Sequence, residues 1–187
     1  MIRRAAVWVV LTTTVTVACS KKQPPPPPTP QTQPTQQPVQ QQAPADDSAA
    51  RAAAAERAAA AERARLRAVV EEMIFFDYDE ARLRSDAEQA LQRKVPILRS
   101  NPGVALRITG HADERGSVEY NLALGLRRAN AVREFLAGFG IDASRIETDT
   151  MGEDRPLDMG HDESAFARNR RAEFSITRGG DTLVTPR

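Results

Sequence analysis

The chain has 187 residues, one cysteine and a net charge of +1 at pH 7, which leaves room for one ordinary domain with appended segments. Such a balanced charge argues against a nucleic-acid-binding protein, in which basic residues are usually in clear excess. A single cysteine excludes an intramolecular disulfide.

Residues 1–18 have the layout of a lipoprotein signal peptide. Two arginines precede an apolar run that is too short to span a bilayer as a relaxed helix. The small residue Ala18 then stands directly before Cys19, as in a bacterial lipobox, where the cysteine becomes the lipidated first residue. Thr16 departs from that pattern, because lipoboxes usually have leucine there. We expect export and lipidation of Cys19; a buried or merely tolerated thiol is the alternative.

Residues 19–47 consist of this cysteine and a tether rich in proline, glutamine and threonine. The segment shows no apolar periodicity, so it cannot bury enough surface to fold, and its prolines favour extended polyproline II. We expect a disordered tether, with an SH3-type ligand as the alternative. Its length predicts that the folded part of the chain works at a distance from the anchor.

Residues 48–72 form a block rich in alanine, arginine and glutamate, without glycine or proline, which predicts a helix. An apolar stripe emerges only near its end, at Leu66, Val69, Val70 and Met73. Such a weak stripe favours a solvated single helix that acts as a spacer over a coiled coil.

Residues 73–178 alternate between strand and helix patterns, which predicts an α+β or α/β sandwich with a mixed sheet. Ser85 and Glu88 have the spacing of a capping box at a helix start, and Pro96 is expected to kink or restart that helix.

Residues 179–187 form a tail without a usable pattern. The predicted strands are 73–78, a run through Val104, Leu106 and Ile108, 145–151 and 172–177; the helices begin at Ser85 and span 120–136, with a helical turn at 164–169. The predicted core positions on the two long helices are Ala87, Ala90, Leu91, Val95, Leu98, Leu122, Leu126, Ala129, Val132, Phe135 and Leu136.

Several short motifs follow one another in a fixed order between residues 73 and 176. They read Phe-Phe-Asp-Tyr-Asp at 75–79, Gly-His-Ala-Asp-Glu-Arg-Gly at 110–116, Glu-Tyr-Asn at 119–121, Arg-Arg-Ala-Asn-Ala-Val at 127–132, Gly-His-Asp-Glu at 160–163 and Asn-Arg-Arg-Ala at 169–172. In this order they resemble the peptidoglycan-associated lipoproteins, the Pal branch of the OmpA-like C-terminal domain family. The resemblance implies an α+β fold with the OmpA-like β-α-β-α-β-β order and a mixed sheet.

The resemblance also implies a binding site. In this family the ligand is diaminopimelate in the stem peptide of peptidoglycan, and the residues that grip it fall on Asp113 and Arg128. A carboxylate accepts hydrogen bonds from an ammonium and a guanidinium donates two parallel bonds to a carboxylate, so this pair suits a zwitterion. The other residues implied to line the pocket are Tyr78, Asp79, Tyr120, Asn121 and Leu124.

Taken alone, each of these residues has a structural alternative. Asp113 could stabilise a turn, and Arg128 could be solvated or could pair with Glu114 or Asp79. Asn121 could be a helix N-cap. Tyr78 could pack against the sheet edge and Leu124 could belong to the core. A further basic set consists of Arg127, Arg168, Arg170 and Arg171; its two interpretations are a solvated face and a surface for acidic groups of the glycan peptide or of a protein partner.

No catalytic group, cofactor or metal site is predicted. The chain lacks a Gly-x-Ser-x-Gly elbow, and His111 and His161 give only a weak metal-ligand signal. The resemblance implies a non-enzymatic lipoprotein, lipid-anchored in the outer membrane and facing the periplasm. It would tie that membrane to peptidoglycan within the Tol-Pal system, with TolB as a protein partner, during envelope constriction and cell division.

Two alternative functions remain open: a periplasmic protein-interaction scaffold without wall binding, and a wall-modifying enzyme. The binding hypothesis expects that loss of the charge on Asp113 or Arg128 weakens wall binding at an unchanged melting temperature.

Overall fold

The computed structural model describes residues 45–186; the predicted signal peptide, Cys19 and most of the predicted tether lie outside this range. Within it, no helix is both long and apolar enough to cross a membrane. The helices are α1 (Ala45–Glu71), α2 (Ser85–Ser100), α3 (Val118–Gly138) and α4 (Glu163–Asn169), and the strands are β1 (Ile74–Phe75), β2 (Ala105–His111), β3 (Ile146–Gly152) and β4 (Arg171–Arg178). Short 3-10 turns occur at Ala143–Arg145 and Gly180–Thr182.

The four strands form one mixed sheet in the order β1-β4-β2-β3. β2 and β3 are parallel and are joined through α3, whereas β4 runs antiparallel to both β2 and β1. Ile108 lies between Thr148 of β3 and Phe174 of β4, and its side chain is fully buried. The predicted α+β class and mixed sheet are therefore confirmed.

The buried faces of the helices agree with the predicted core except on α3. All five positions predicted on α2 are buried. On α3, Ala129, Val132 and Leu136 are buried, but Leu126 is 38% exposed, so its assignment to the core was wrong. Leu126 lies two residues from both Leu124 and Arg128, which point inward, and two residues is more than half a helical turn. Arg128 occupies the inward-facing position on this turn of α3, whereas the apolar pattern predicted that Leu126 would face inward.

The capping box predicted at the start of α2 was also wrong. Ser85 is the first helical residue rather than the cap, and Arg84 precedes it in an extended conformation without any side-chain capping bond. The backbone NH of Glu88 donates to the Arg84 carbonyl at 2.9 Å, so no capping box forms. The helix does not restart at Pro96 but continues to Ser100. The predicted first strand is shorter than expected, because only Ile74 and Phe75 pair with β4.

The last turns of α1 pack against the domain. The buried ammonium of Lys94 donates to the carbonyls of Val69 at 2.8 Å, Val70 at 3.1 Å and Glu72 at 2.7 Å. These are carbonyls at a helix end, which have no partner within the helix. Leu66 and Val70 lie in the core, whereas side chains 47–61 are exposed. The end of the predicted spacer thus shares a core with the domain predicted to begin at residue 73.

Candidate functional site

A small cavity of about 100 Å³ lies beyond the end of β2, beside the first turns of α3 and the segment that follows β1. All seven residues of the predicted pocket line it, together with Arg115 and Gly116. The fold therefore brings the predicted set together from three separate stretches of the chain. That these residues bind a ligand stays a prediction.

The approach of α3 to β2 depends on two glycines. A methyl group at Gly110 would lie 1.8 Å from the carbonyl oxygen of Gly125, and one at Gly125 would lie 2.7 Å from the carbonyl oxygen of Gly110. Only residues without a side chain allow these backbones to come so close. This close approach lets Arg128, one turn further along α3, reach the carbonyl of His111 at the end of β2 at 2.6 Å.

Asp113 is a buried carboxylate, 3% exposed, in the loop after β2. Its Oδ1 accepts from the backbone NH of Arg115 at 3.1 Å and from Arg115 Nε at 3.2 Å. Its Oδ2 accepts from Arg115 Nη2 at 2.6 Å and from Arg170 Nη1 at 3.1 Å. Burial by itself raises the pKa of Asp113, but the hydrogen bonds from both arginines outweigh burial and hold this pKa below its usual range. The carboxylate shapes its turn and also carries a charge into the cavity.

Arg128 is completely buried and is neither solvated nor paired with Glu114 or Asp79 by a side-chain hydrogen bond. Its guanidinium donates to three backbone carbonyls, those of Glu80 at 2.8 Å, His111 at 2.6 Å and Asp77 at 3.1 Å. An arginine has five N–H donors, so two are not bonded to these carbonyls. Burial lowers the pKa of Arg128 to about 10, partly opposed by the charge of Asp113, and the side chain is still a cation at neutral pH.

Two arginines that the sequence did not assign complete the site. Arg170 is 7% exposed and donates to the Phe76 carbonyl, to Asp113 and to Glu163. Arg115 is 33% exposed, and its guanidinium lies over the rings of Tyr78 at 4.0 Å and Phe166 at 4.6 Å. The hydrogen bond to Asp113 raises the pKa of Arg115. The Asp-x-Arg spacing in a polar loop was the available signal for Arg115, whereas Arg170 appeared only within the unassigned basic set.

The remaining pocket residues form its rim and wall. The Tyr120 hydroxyl donates to Asp79, and Asp79 has a left-handed backbone with φ of 55°. Asn121 is buried, and its amide donates to the carbonyls of Asp113 at 3.1 Å and Arg115 at 3.2 Å. It is not the N-cap, because Ser117 holds that position. Tyr78 is exposed against Arg115 rather than packed on the sheet edge, and Leu124 is buried at the cavity wall.

A larger cavity of about 310 Å³ is lined by Ala112 and Glu114 of the loop after β2 and by residues of the loop before α4. It contains none of the seven predicted residues, and its lining includes Glu114, which pairs with His161 at 2.7 Å. Across residues 45–186, no group of three or more His, Cys, Asp or Glu side chains is placed to hold a metal ion.

His111 beneath the site predicts a loss of stability in mild acid. Within residues 45–186 neither ring nitrogen has a hydrogen-bond partner, and burial, together with the charge of Arg171, lowers the pKa of His111 from 6.5 to about 4. Because the unfolded chain takes up this proton first, stability is lost as the pH falls from 6.5 towards 4. At about pH 4.5 the loss should reach about 2–3 kcal/mol.

Urea unfolding at neutral pH and at about pH 4.5 measures this dependence. The variant His111→Gln should show a flatter dependence than the parent, whereas His161→Gln, at the exposed second histidine, should keep it. If the free energy of unfolding changes equally with pH in the parent and in His111→Gln, a group other than His111 causes the loss of stability.

Comparison with known proteins agrees with this architecture. The model of the OmpA family matches residues 75–170, just over half of the chain. The peptidoglycan-associated lipoprotein of Agrobacterium fabrum is 50% identical over 103 residues, which are 55% of this chain and 58% of that protein. Its counterpart in Brucella melitensis is 45% identical over 111 residues, 59% of this chain and 66% of that protein. The matched region therefore spans about three fifths to two thirds of these relatives.

A solved structure is similar as well. The crystal structure of the peptidoglycan-associated lipoprotein from Burkholderia pseudomallei has a TM-score of 0.55 and 38% sequence identity with this chain. The similarity covers 56% of this chain and 89% of the solved one.

Proposed function

The chain belongs to the OmpA family, and from this premise we propose that it is a non-enzymatic outer-membrane lipoprotein whose folded domain binds peptidoglycan through diaminopimelate in the stem peptide. The names of its relatives, peptidoglycan-associated lipoproteins, support the wall as the target. The observation that carries the proposal is the cavity itself, in which a buried carboxylate and a buried guanidinium line one small space.

The chemistry of this cavity suits a free zwitterionic end group. Asp113 stays ionised because of its two arginine partners, and Arg128 keeps two N–H groups beyond those held by backbone carbonyls. Charged groups held in a largely buried site act with less screening than they would in water. An ammonium and a carboxylate on one carbon would meet complementary charges within a space of about 100 Å³.

The segments before the domain would place this site at a distance from the membrane. Lipid on Cys19 would hold the chain in the outer membrane, since several acyl chains give nearly irreversible anchoring. α1 has 27 residues, which corresponds to a rod of about 40 Å. Because Lys94 and the core fix the end of this rod, a pull on the tether would be transmitted to the domain.

The finer parts of the proposal concern partners. We assign the protein to the Tol-Pal system, with TolB as a protein partner and envelope constriction at cell division as the process served. The resemblance of the motifs to the Pal branch and the names of the relatives support this assignment, and the alternative is a periplasmic scaffold that engages proteins without binding the wall.

Co-sedimentation of the full chain with purified sacculi tests the proposal. We expect the protein to pellet with sacculi that contain diaminopimelate and to be released by an excess of soluble muropeptide of the same type. Sacculi that contain lysine instead should retain much less. Absence of pelleting with either wall would contradict the proposal and favour the scaffold, and release of soluble muropeptides by the protein would indicate an enzyme.

A further inference from the structure

The acceptor capacity of Asp113 is fully used in the structure. A carboxylate offers about four lone-pair positions. Arg115 occupies three of them through its backbone NH, Nε and Nη2, and Arg170 occupies the fourth through Nη1. A ligand ammonium can therefore bind Asp113 only by replacing one of these donors.

The donor that can leave is the side chain of Arg115. The guanidinium of Arg170 is buried and is also held by the Phe76 carbonyl at 3.1 Å and by Glu163 at 2.8 Å. Arg115 is one-third exposed at the cavity, and its remaining polar contact is the exposed Glu163 at 3.2 Å. Its guanidinium carbon also lies over the rings of Tyr78 at 4.0 Å and Phe166 at 4.6 Å, and these contacts do not depend on the hydrogen bonds to Asp113.

We propose that the zwitterion of the ligand inserts into the Asp113–Arg115 ion pair, so that the ligand ammonium binds Asp113 and the ligand carboxylate, which Arg128 meets at the cavity wall, also binds the guanidinium of Arg115. This inference rests on the proposed function and names the residue that sets its specificity. A ligand with both charges leaves neither member of the opened pair without a partner. A ligand with an ammonium alone displaces Arg115 from Asp113 and leaves its guanidinium with the exposed Glu163 as its one carboxylate partner, so it binds weakly.

The role of Arg115 differs from that of Arg128. The guanidinium of Arg128 is fixed by three carbonyls and completely buried, so it forms an immobile floor with two donors to spare. Arg115 is the mobile member, and it exchanges one carboxylate for another. Discrimination between ligands with and without the extra carboxylate is therefore expected to depend on Arg115.

Calorimetric titration of the full chain measures this discrimination. The probes are a muropeptide that contains diaminopimelate and its lysine counterpart, which lacks the extra carboxylate. For Arg115→Gln we expect the affinity for the diaminopimelate form to fall about 10- to 100-fold. The affinity for the lysine form should stay the same or rise, because the competitor for Asp113 is gone. Arg115→Lys, which keeps the charge but loses the fork, should fall between the parent and Arg115→Gln.

Arg107→Gln is the matched control, since it removes an arginine that pairs with the exposed Glu147 near the start of β2. It should bind as the parent does. Suppose that the parent binds the diaminopimelate form. The inference is then overturned, with the proposed function left standing, if the affinity of Arg115→Gln for that form is unchanged or higher, or if its affinities for both probes fall equally. A parent that binds neither probe would overturn both.

Discussion

Replacing Arg128 by alanine is expected to destabilise the folded domain by about 3–5 kcal/mol, because buried carbonyls lose their donor and a large buried side chain is removed. Three carbonyls, those of Asp77, Glu80 and His111, would lose their donor inside the protein. The side chain is also among the largest that are fully buried, so its removal leaves a cavity. The melting temperature should fall by about 10 °C or more.

Thermal and urea unfolding followed by circular dichroism measure this effect. The neighbouring Arg127 is exposed and rests over the Tyr120 ring, so Arg127→Ala is the matched control and should unfold close to the parent. Equal stability of Arg128→Ala and the parent would contradict the structural role of Arg128. The structure thus replaces the expectation that the Arg128 charge can be removed at an unchanged melting temperature.

Replacing Asp113 by asparagine is expected to lower the affinity for a diaminopimelate muropeptide by about 100-fold or more. The variant keeps the size of the side chain but removes the charge that would hold the ligand ammonium. It also leaves the buried Arg170 with one carboxylate partner, Glu163, instead of two. Some stability is lost for that reason, so affinity has to be measured well below the melting temperature of the variant.

Glu163→Gln provides the control for Asp113→Asn. Glu163 pairs with the same two arginines, Arg115 and Arg170, but it is exposed and does not line the cavity. We expect the affinity of Glu163→Gln for the diaminopimelate muropeptide to stay within about threefold of the parent's, because an exposed ion pair contributes little energy. A similar loss in both variants would mean that the general charge balance, and not the carboxylate of Asp113, governs binding.

The order of the elements was predictable because it depends on local patterns. The alternating apolar residues of β2 and β4 and the apolar face of α2 appear directly in the sequence, and the structure buries them, Ile176 of β4 only in part. The early end of β1 was not predictable. After Phe76, whose NH donates to the Arg170 carbonyl at 2.9 Å, the carbonyls of Asp77 and Glu80 turn to Arg128. Those partners lie about 50 residues or more away in the chain.

The residues of the site were predictable as a set, whereas their contacts were not. The family motifs placed seven residues around one cavity, and all seven line it. Periodicity treats arginine and lysine as solvated, so it could not show that Arg128, Arg170 and Lys94 are buried. Each of them is satisfied by backbone carbonyls or by carboxylates from distant segments. Such partners exist only once the chain has folded.

The most direct test of the central claim is calorimetric titration of the unmodified full chain with the diaminopimelate muropeptide and its lysine counterpart. The proposed site predicts saturable binding of the diaminopimelate form and binding of the lysine form that is at least about tenfold weaker, since one charge-assisted pair is missing. Equal affinity for the two muropeptides, or binding of neither, would contradict a cavity that recognises the zwitterion.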